Sequence, residues 1–170
     1  MKGYLLDTNV VSDWLDETHD RHEAVSGRIV QLADTDSVLF TSSIVLGEIE
    51  YGIQTLPVSK RESLSELRLH VDVQFVQRRL LLDVTRATTK EYGVLRARLF
   101  DKYAPGTKRK KTKRPEQLKD PETSLSLGIQ ENDLWLAAQA LERNLVLVSN
   151  DKHMKRIRAV APELQVEDWA

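Results

Sequence analysis

Short apolar runs alternate with helical patterns along the whole chain. Tyr4-Leu5-Leu6 reads as a strand that stops at Asp7, and Val38-Leu39-Phe40, Leu80-Leu81-Leu82 and Leu145-Val146-Leu147-Val148 read as three more. Leu164-Gln165-Val166 reads as an edge strand. Between them, apolar residues recur at helical spacing. The stretch from Asn9 to Glu17 carries Val10, Val11, Trp14 and Leu15, and that from Arg21 to Ala33 carries Val25, Ile29, Val30 and Leu32. Thr41-Ser42-Ser43 supplies polar caps for a helix from about Ile44 to Gln54. Ser59 with Glu62 reads as a capping box that opens a long helix to about Arg79, with Leu64, Leu67, Val71 and Phe75 on one stripe. Thr88 with Glu91 marks a second box, inside or just before a helix to about Lys102 that Ala104-Pro105-Gly106 stops. Further helices are expected from about Asn132 to Arg143 and near Lys152–Ala159. Strands that are apolar throughout, with helices between them, indicate a parallel sheet covered on both faces. The expected architecture is α/β: a three-layer α/β/α fold around a mainly parallel sheet of about five strands.

Composition narrows this further. At 170 residues and 19.5 kDa the chain has the size of a single domain, spanning 1–170, able to bury about 70% of its unfolded surface. With 41% hydrophobic and 30% charged residues, neither a disordered chain nor a membrane bundle is expected. No apolar run approaches the roughly 18 residues that span a bilayer. Asp7 interrupts what would be the apolar part of a signal peptide, so a cytoplasmic protein is expected. The absence of cysteine excludes disulfide scaffolds, Cys-ligated metal sites and thiol catalysis. The net charge of −1 conceals an asymmetry, because Lys108, Arg109, Lys110, Lys111, Lys113 and Arg114 gather in one tract of an otherwise acidic chain. That tract lies in a Lys-, Arg- and Pro-containing insertion at about 104–121, read as a loop that is mobile without ligand and that suits a polyanion held in one place.

In open α/β sheets, ligands bind beyond the carboxyl ends of the strands. Asp7 follows the first strand there, Glu48 lies one turn into the helix after the second, Asp133 opens the helix before the fourth, and Asp151 follows that strand. Asp7 and Asp151 each have a simpler reading as helix caps, and Asp133 as a first-turn partner of the helix dipole. Glu48 is harder to dismiss, because it shares the apolar stripe of its helix with Ile44, Val45, Ile49 and Gly52. Four carboxylates in one crevice repel one another, and a hard divalent cation such as Mg²⁺ or Mn²⁺ resolves this with oxygen ligands. Such a centre polarises a phosphoryl oxygen and makes hydroxide available near neutral pH, so phosphodiester hydrolysis is the natural reaction.

The segments Leu5–Ser12, Ser43–Ile53, Asn132–Ala138 and Leu145–Asp151, in this order and spacing, resemble the PIN-domain family of metal-dependent ribonucleases. Within it they are similar to the VapC and FitB-type toxins of bacterial toxin–antitoxin pairs. The resemblance implies that Asp7, Glu48, Asp133 and Asp151 form the acidic catalytic and metal-binding centre, with Asp7 and Asp133 the most direct ligands. It also implies accessory roles for Asn9 and Ser149, expected to hydrogen-bond a carboxylate or a metal-bound water. The substrate it implies is RNA, often tRNA, cut to a 3′-hydroxyl and a 5′-phosphate. Its toxins are typically homodimers silenced by a small antitoxin. Two other functions are weighed against this. A non-catalytic RNA-binding module using the basic tract leaves Glu48 unexplained. An aspartate-nucleophile phosphatase would need a second Asp where Asn9 stands.

His19 and His22, three residues apart with no acid pattern nearby, read as a solvated surface pair. His70 and His153 have no recognisable triad partner. Trp14 and Trp135 flank the acids and are expected to pack, with Trp135 also able to stack on a base. Trp169 is expected to pin the C-terminus.

Overall fold

A computed structural model of the chain describes residues 2–106 and 111–170. Lys108, Arg109 and Lys110 of the basic tract therefore lie outside the described residues.

Two compact units are present. The first comprises Met1–Asp83, Leu145–Asn150 and Val166–Ala170, and the second Val84–Asn144 and Asp151–Gln165. The first unit holds the sheet: β1 (Lys2–Leu6), β2 (Ser37–Ser42), β3 (Leu81–Leu82), β4 (Val146–Val148) and β5 (Val166–Glu167), in the order β3-β2-β1-β4-β5 with every pairing parallel. β1 is the centre. Tyr4 pairs with Leu39 on one side and Val146 on the other, and Leu5 and Leu6 are fully buried. Burial on both faces is what an uninterrupted apolar run requires.

Four helices complete this unit: α1 (Thr8–Leu15), α2 (His22–Ala33), α3 (Ser43–Thr55) and α4 (Glu62–Val71). α3 is capped by Ser42, whose hydroxyl accepts from the Ile44 N–H at 3.0 Å. The long helix expected from Ser59 divides. Ser59 sits in a 3₁₀ turn, Val58–Lys60, directly after Pro57, and the N-cap of α4 is Arg61 with no side-chain bond, so the Ser59–Glu62 box does not form. Beyond Val71 the helix widens into a π turn, Asp72–Val76, and the chain leaves it at Arg79 with φ 61°. The Leu67, Val71 and Phe75 stripe is core, whereas Leu69, Val73 and Val76 stay exposed. Trp169 packs edge-on against Tyr4 with ring centroids 5.4 Å apart and so fixes the C-terminus to β1.

The second unit contains α5 (Arg86–Tyr103), α6 (Glu131–Arg143) and α7 (Met154–Arg158). The N-terminal box of α5 is Thr85 with Thr88, not Thr88 with Glu91: Thr88 Oγ1 accepts from the Thr85 N–H at 3.0 Å, and Thr85 Oγ1 accepts from the Thr88 N–H at 3.2 Å. Both hydroxyls also bond Glu142 near the end of α6, which ties the two packed helices together. Asn144 closes α6 in the left-handed region, φ 52°, a conformation that Asn tolerates better than most residues. Part of the segment expected to be mobile is held. The backbone N–H groups of Lys113 and Arg114 donate to Gln117 Oε1 at 2.9 and 3.0 Å, and the Arg96 guanidinium donates to the Lys113 carbonyl at 2.7 Å. Among the described residues, no helix is long and apolar enough to cross a membrane.

Candidate active site

The strand order reverses beside β1, since the chain goes to β2 on one side and β4 on the other. The carboxyl ends of β1 and β4 therefore flank the crevice where open α/β sheets bind ligands. Asp7 follows β1 and Ser149 follows β4.

Asp7 is 6% exposed. Its N–H continues the ladder by donating to the Val148 carbonyl at 3.1 Å, and its Oδ1 caps α1 by accepting from the Val10 N–H at 2.8 Å. The helix-cap reading is thus correct as geometry. It does not account for the electrostatics. Burial pushes the Asp7 carboxyl up to about 6, against hydrogen bonds from Ser149 and Val10 that favour the charged form; the nearby charges of Glu48 and Asp13 push it further up. A capping carboxylate at an ordinary helix start is solvated and titrates low. This one is held where the protein leaves its charge poorly compensated.

Glu48 comes from the middle of α3, half-buried, and accepts a hydrogen bond from the Thr8 hydroxyl. The end of β2 is fixed beside β1 by Thr41, whose buried hydroxyl donates to the Leu6 carbonyl at 3.0 Å. Asp7, Glu48 and Ser149 are therefore gathered in the first unit. Asn9, exposed on the first turn of α1, reaches Asn150 Oδ1 with its Nδ2 at 3.5 Å.

Asp133 and Asp151 belong to the second unit. Asp133, on the first turn of α6, accepts from the Gln130 N–H at 2.8 Å. Asp151 accepts from the His153 N–H at 2.7 Å at the approach to α7. Trp135 stacks on Tyr92 at 3.8 Å with an interplanar angle of 5°, so one face of its ring is covered by protein. Among the described residues, no three His, Asp or Glu side chains form a group able to hold a metal ion.

The donor chemistry nevertheless suits a hard cation. The first unit offers two carboxylates and a hydroxyl around a buried acid, and the chain contains no thiolate that would select a softer metal. A cation is the partner that relieves a buried, negatively surrounded carboxylate most directly.

Two residues of this neighbourhood were not read from the sequence. Asp13 is 5% exposed on the inner side of α1, and Asn150 donates to its Oδ2 at 3.0 Å. The one signal in the sequence is an acid three residues after Val10, in a helix of eight residues that is too short to show a clear apolar stripe. His19 is exposed and His22 half-buried, in keeping with a surface pair, but an acid does lie beside them. His19 Nδ1 lies 3.0 Å from Asp13 Oδ1, and His22 Nδ1 lies 3.2 Å from the Asp13 carbonyl. Asp13 is the acid partner their spacing did not reveal.

A parallel five-stranded sheet with a buried acid at its switch point defines a protein of the three-layer α/β/α class. The chain belongs to the PIN domain family, whose model matches residues 4–160 and so draws on both units. Its structure is similar to that of VapBC2 from Rickettsia felis bound to a DNA fragment from its promoter, at 26% identity and a TM-score of 0.68, covering 99% of each chain. It is also similar to VapBC-1 from nontypeable Haemophilus influenzae, at 23% identity and a TM-score of 0.64 over 98% of each chain. A third likeness is to FitAcB from Neisseria gonorrhoeae, at 20% identity and a TM-score of 0.61, covering 96% of this chain and 95% of that one. None of the curated proteins matches it in sequence.

Proposed function

We propose that this protein is a metal-dependent endoribonuclease and the toxin of a toxin–antitoxin pair. The observation that carries the reading is Asp7: a buried carboxylate at the end of the central strand, pushed up to about 6 by burial and by neighbouring negative charge, in a chain of the PIN family.

Asp7 and Glu48 would hold a Mg²⁺ or Mn²⁺ ion, with Asp133 and Asp151 completing the acidic set. Bound there, such a cation would supply polarisation of the phosphodiester and a water of lowered pKa. The remaining work falls to the chain. The Ser149 hydroxyl and the Val10 N–H keep Asp7 oriented and favour its charged form. The Thr8 hydroxyl fixes one carboxylate oxygen of Glu48. Asn9 and Ser149 act as accessory polar groups, and Lys108, Arg109, Lys110, Lys111, Lys113 and Arg114 contact RNA phosphates.

The partners follow from the same reading. The similar structures are VapBC and FitAcB complexes, which supports a small antitoxin as the partner of this chain. A homodimer through the stripe of Leu64, Leu67, Val71 and Phe75 is ruled out because Leu67, Val71 and Phe75 are buried core; the exposed Tyr51 and Leu69, which flank the Glu50–Arg68 ion pair between α3 and α4, would supply the surface instead. A toxin of RNA acts in the cytoplasm.

The test is incubation of the purified chain with single-stranded RNA and tRNA. Cleavage with Mg²⁺ or Mn²⁺, stopped by EDTA and leaving 5′-phosphate ends, is the expected result. Cleavage that is indifferent to EDTA would remove the metal from the account, and no cleavage of any RNA would return the chain to a binding role.

A further inference from the structure

Asp13 is a buried acid that the proposed chemistry does not use. Its two carboxylate oxygens are both engaged: Oδ1 with His19 Nδ1 at 3.0 Å, and Oδ2 with the Asn150 side-chain amide at 3.0 Å. Asn150 in turn receives, through its Oδ1, the Asn9 Nδ2 at 3.5 Å, the outer limit of a hydrogen bond. The three side chains thus form one line, with every donor pointing towards Asp13.

We propose that Asp13 is a positioning residue of the candidate site, whose carboxylate fixes the direction of the Asn9–Asn150–Asp13 hydrogen-bond chain and so presents the Asn9 side-chain oxygen, rather than its amide nitrogen, at the first turn of α1. An amide can turn over and exchange its oxygen and nitrogen. A carboxylate can only accept, so Asn150 must turn its nitrogen to Asp13 and its oxygen to Asn9. Asn9 must then use its nitrogen inward. The oxygen that remains is two residues from Asp7, on an exposed side chain, and it can take a hard cation or a proton of a water bound to one. A nitrogen there could do neither. Asn150 also directly follows Ser149, which bonds Asp7. The functional consequence rests on the nuclease reading, whereas the geometry does not.

The experiment uses the full chain labelled with ¹⁵N and follows the side-chain amide signals of Asn9 and Asn150 in Asp13→Asn. Asn at position 13 keeps the shape but can offer either an oxygen or a nitrogen, so the direction of the chain is no longer imposed. The expected result is that both signals move, including that of Asn9, which does not touch residue 13. Mg²⁺ binding measured by calorimetry should weaken about 10-fold, as for loss of a group that orients a ligand. Turnover of RNA should fall by a similar factor, with KM within about twofold of the original value. The double variant Asp13→Asn with Asn150→Asp restores an acceptor-only group facing Asn9, and should regain the Asn9 signal and most of the Mg²⁺ affinity. An Asn9 signal unmoved in Asp13→Asn, or a double variant that binds Mg²⁺ no better than the single, overturns the inference. Should Asp13→Asn not fold, Asn150→Ala carries the same Asn9 readout while leaving the His19–Asp13 pair in place. A native chain that cuts no RNA overturns the nuclease reading separately, since the amide and Mg²⁺ measurements do not depend on cleavage.

Discussion

Asp7 concentrates the physical tension in this protein. Its carboxyl is raised from the ordinary 3.8 to about 6, so between those values the native state retains a proton that the unfolded chain has released. Stability therefore falls as pH rises through this window, and by pH 8 the native state carries the full penalty of an ionised buried acid. A shift of about two units corresponds to about 3 kcal/mol. Asp7→Asn removes the ionisation while retaining an oxygen to cap α1. In EDTA, chemical denaturation should find this variant more stable than the native chain by about 1–3 kcal/mol at pH 8, with the difference vanishing near pH 4. A variant that is less stable at pH 8 would mean that the cap and the Ser149 bond outweigh desolvation. The sequence made Asp7 and Glu48 readable, because an acid at a strand end or on an apolar stripe conflicts with its surroundings. Asp13 conflicts in the same way but is hidden in a helix of eight residues, too short for a clear stripe. The role of His19 depended on Asp13 and was hidden with it.

At the scale of elements, the strands and most helices were legible because their apolar residues are continuous or regularly spaced. The start and end of α4 were not. A Ser–x–x–Glu pattern predicts a cap only if the backbone before it is extended, and here Pro57 leads into a 3₁₀ turn instead. The π turn after Val71 keeps Phe75 buried, so the apolar spacing alone does not distinguish it from a continuing α-helix. The approach to α6 shows what spacing cannot reveal. Gly128 has φ 69°, and a Cβ placed there would meet the His153 ring at 2.6 Å. That ring has little room to yield, because Arg156 Nη1 bonds its Nδ1 at 2.8 Å while the same guanidinium holds the Leu127 carbonyl. Gly128→Ala combines a left-handed backbone with this clash. It should cost about 2 kcal/mol or more and lower Tm by about 4–8 °C in calorimetry. An unchanged Tm would show that the His153 contact is loose.

For the whole molecule, charge is the property the sequence displays most openly, with six cations in one tract of an otherwise acidic chain. Lys113 and Arg114 are fixed through their backbone by Gln117, with their side chains exposed, and so present cations from an anchored base. If the tract meets several phosphates, log affinity for single-stranded RNA should fall with log salt by about 0.7 per contact. Replacing Lys108, Arg109, Lys110, Lys111, Lys113 and Arg114 by Gln should flatten that slope in filter binding. An unchanged slope would assign the tract to another partner.

The central claim is that carboxylates from distant segments of the chain act together on RNA through a divalent cation. Single-turnover cleavage of one labelled RNA across a Mg²⁺ titration, comparing the native chain with Asp7→Asn and Asp133→Asn, tests it most directly. The account predicts no cleavage without metal, a rate that saturates with Mg²⁺ in the native chain, and losses of at least about 100-fold in each variant, since even a residue that only orients a metal ligand costs about 10–100-fold. Cleavage by either variant at the native rate, or a native rate unaffected by Mg²⁺, would contradict it.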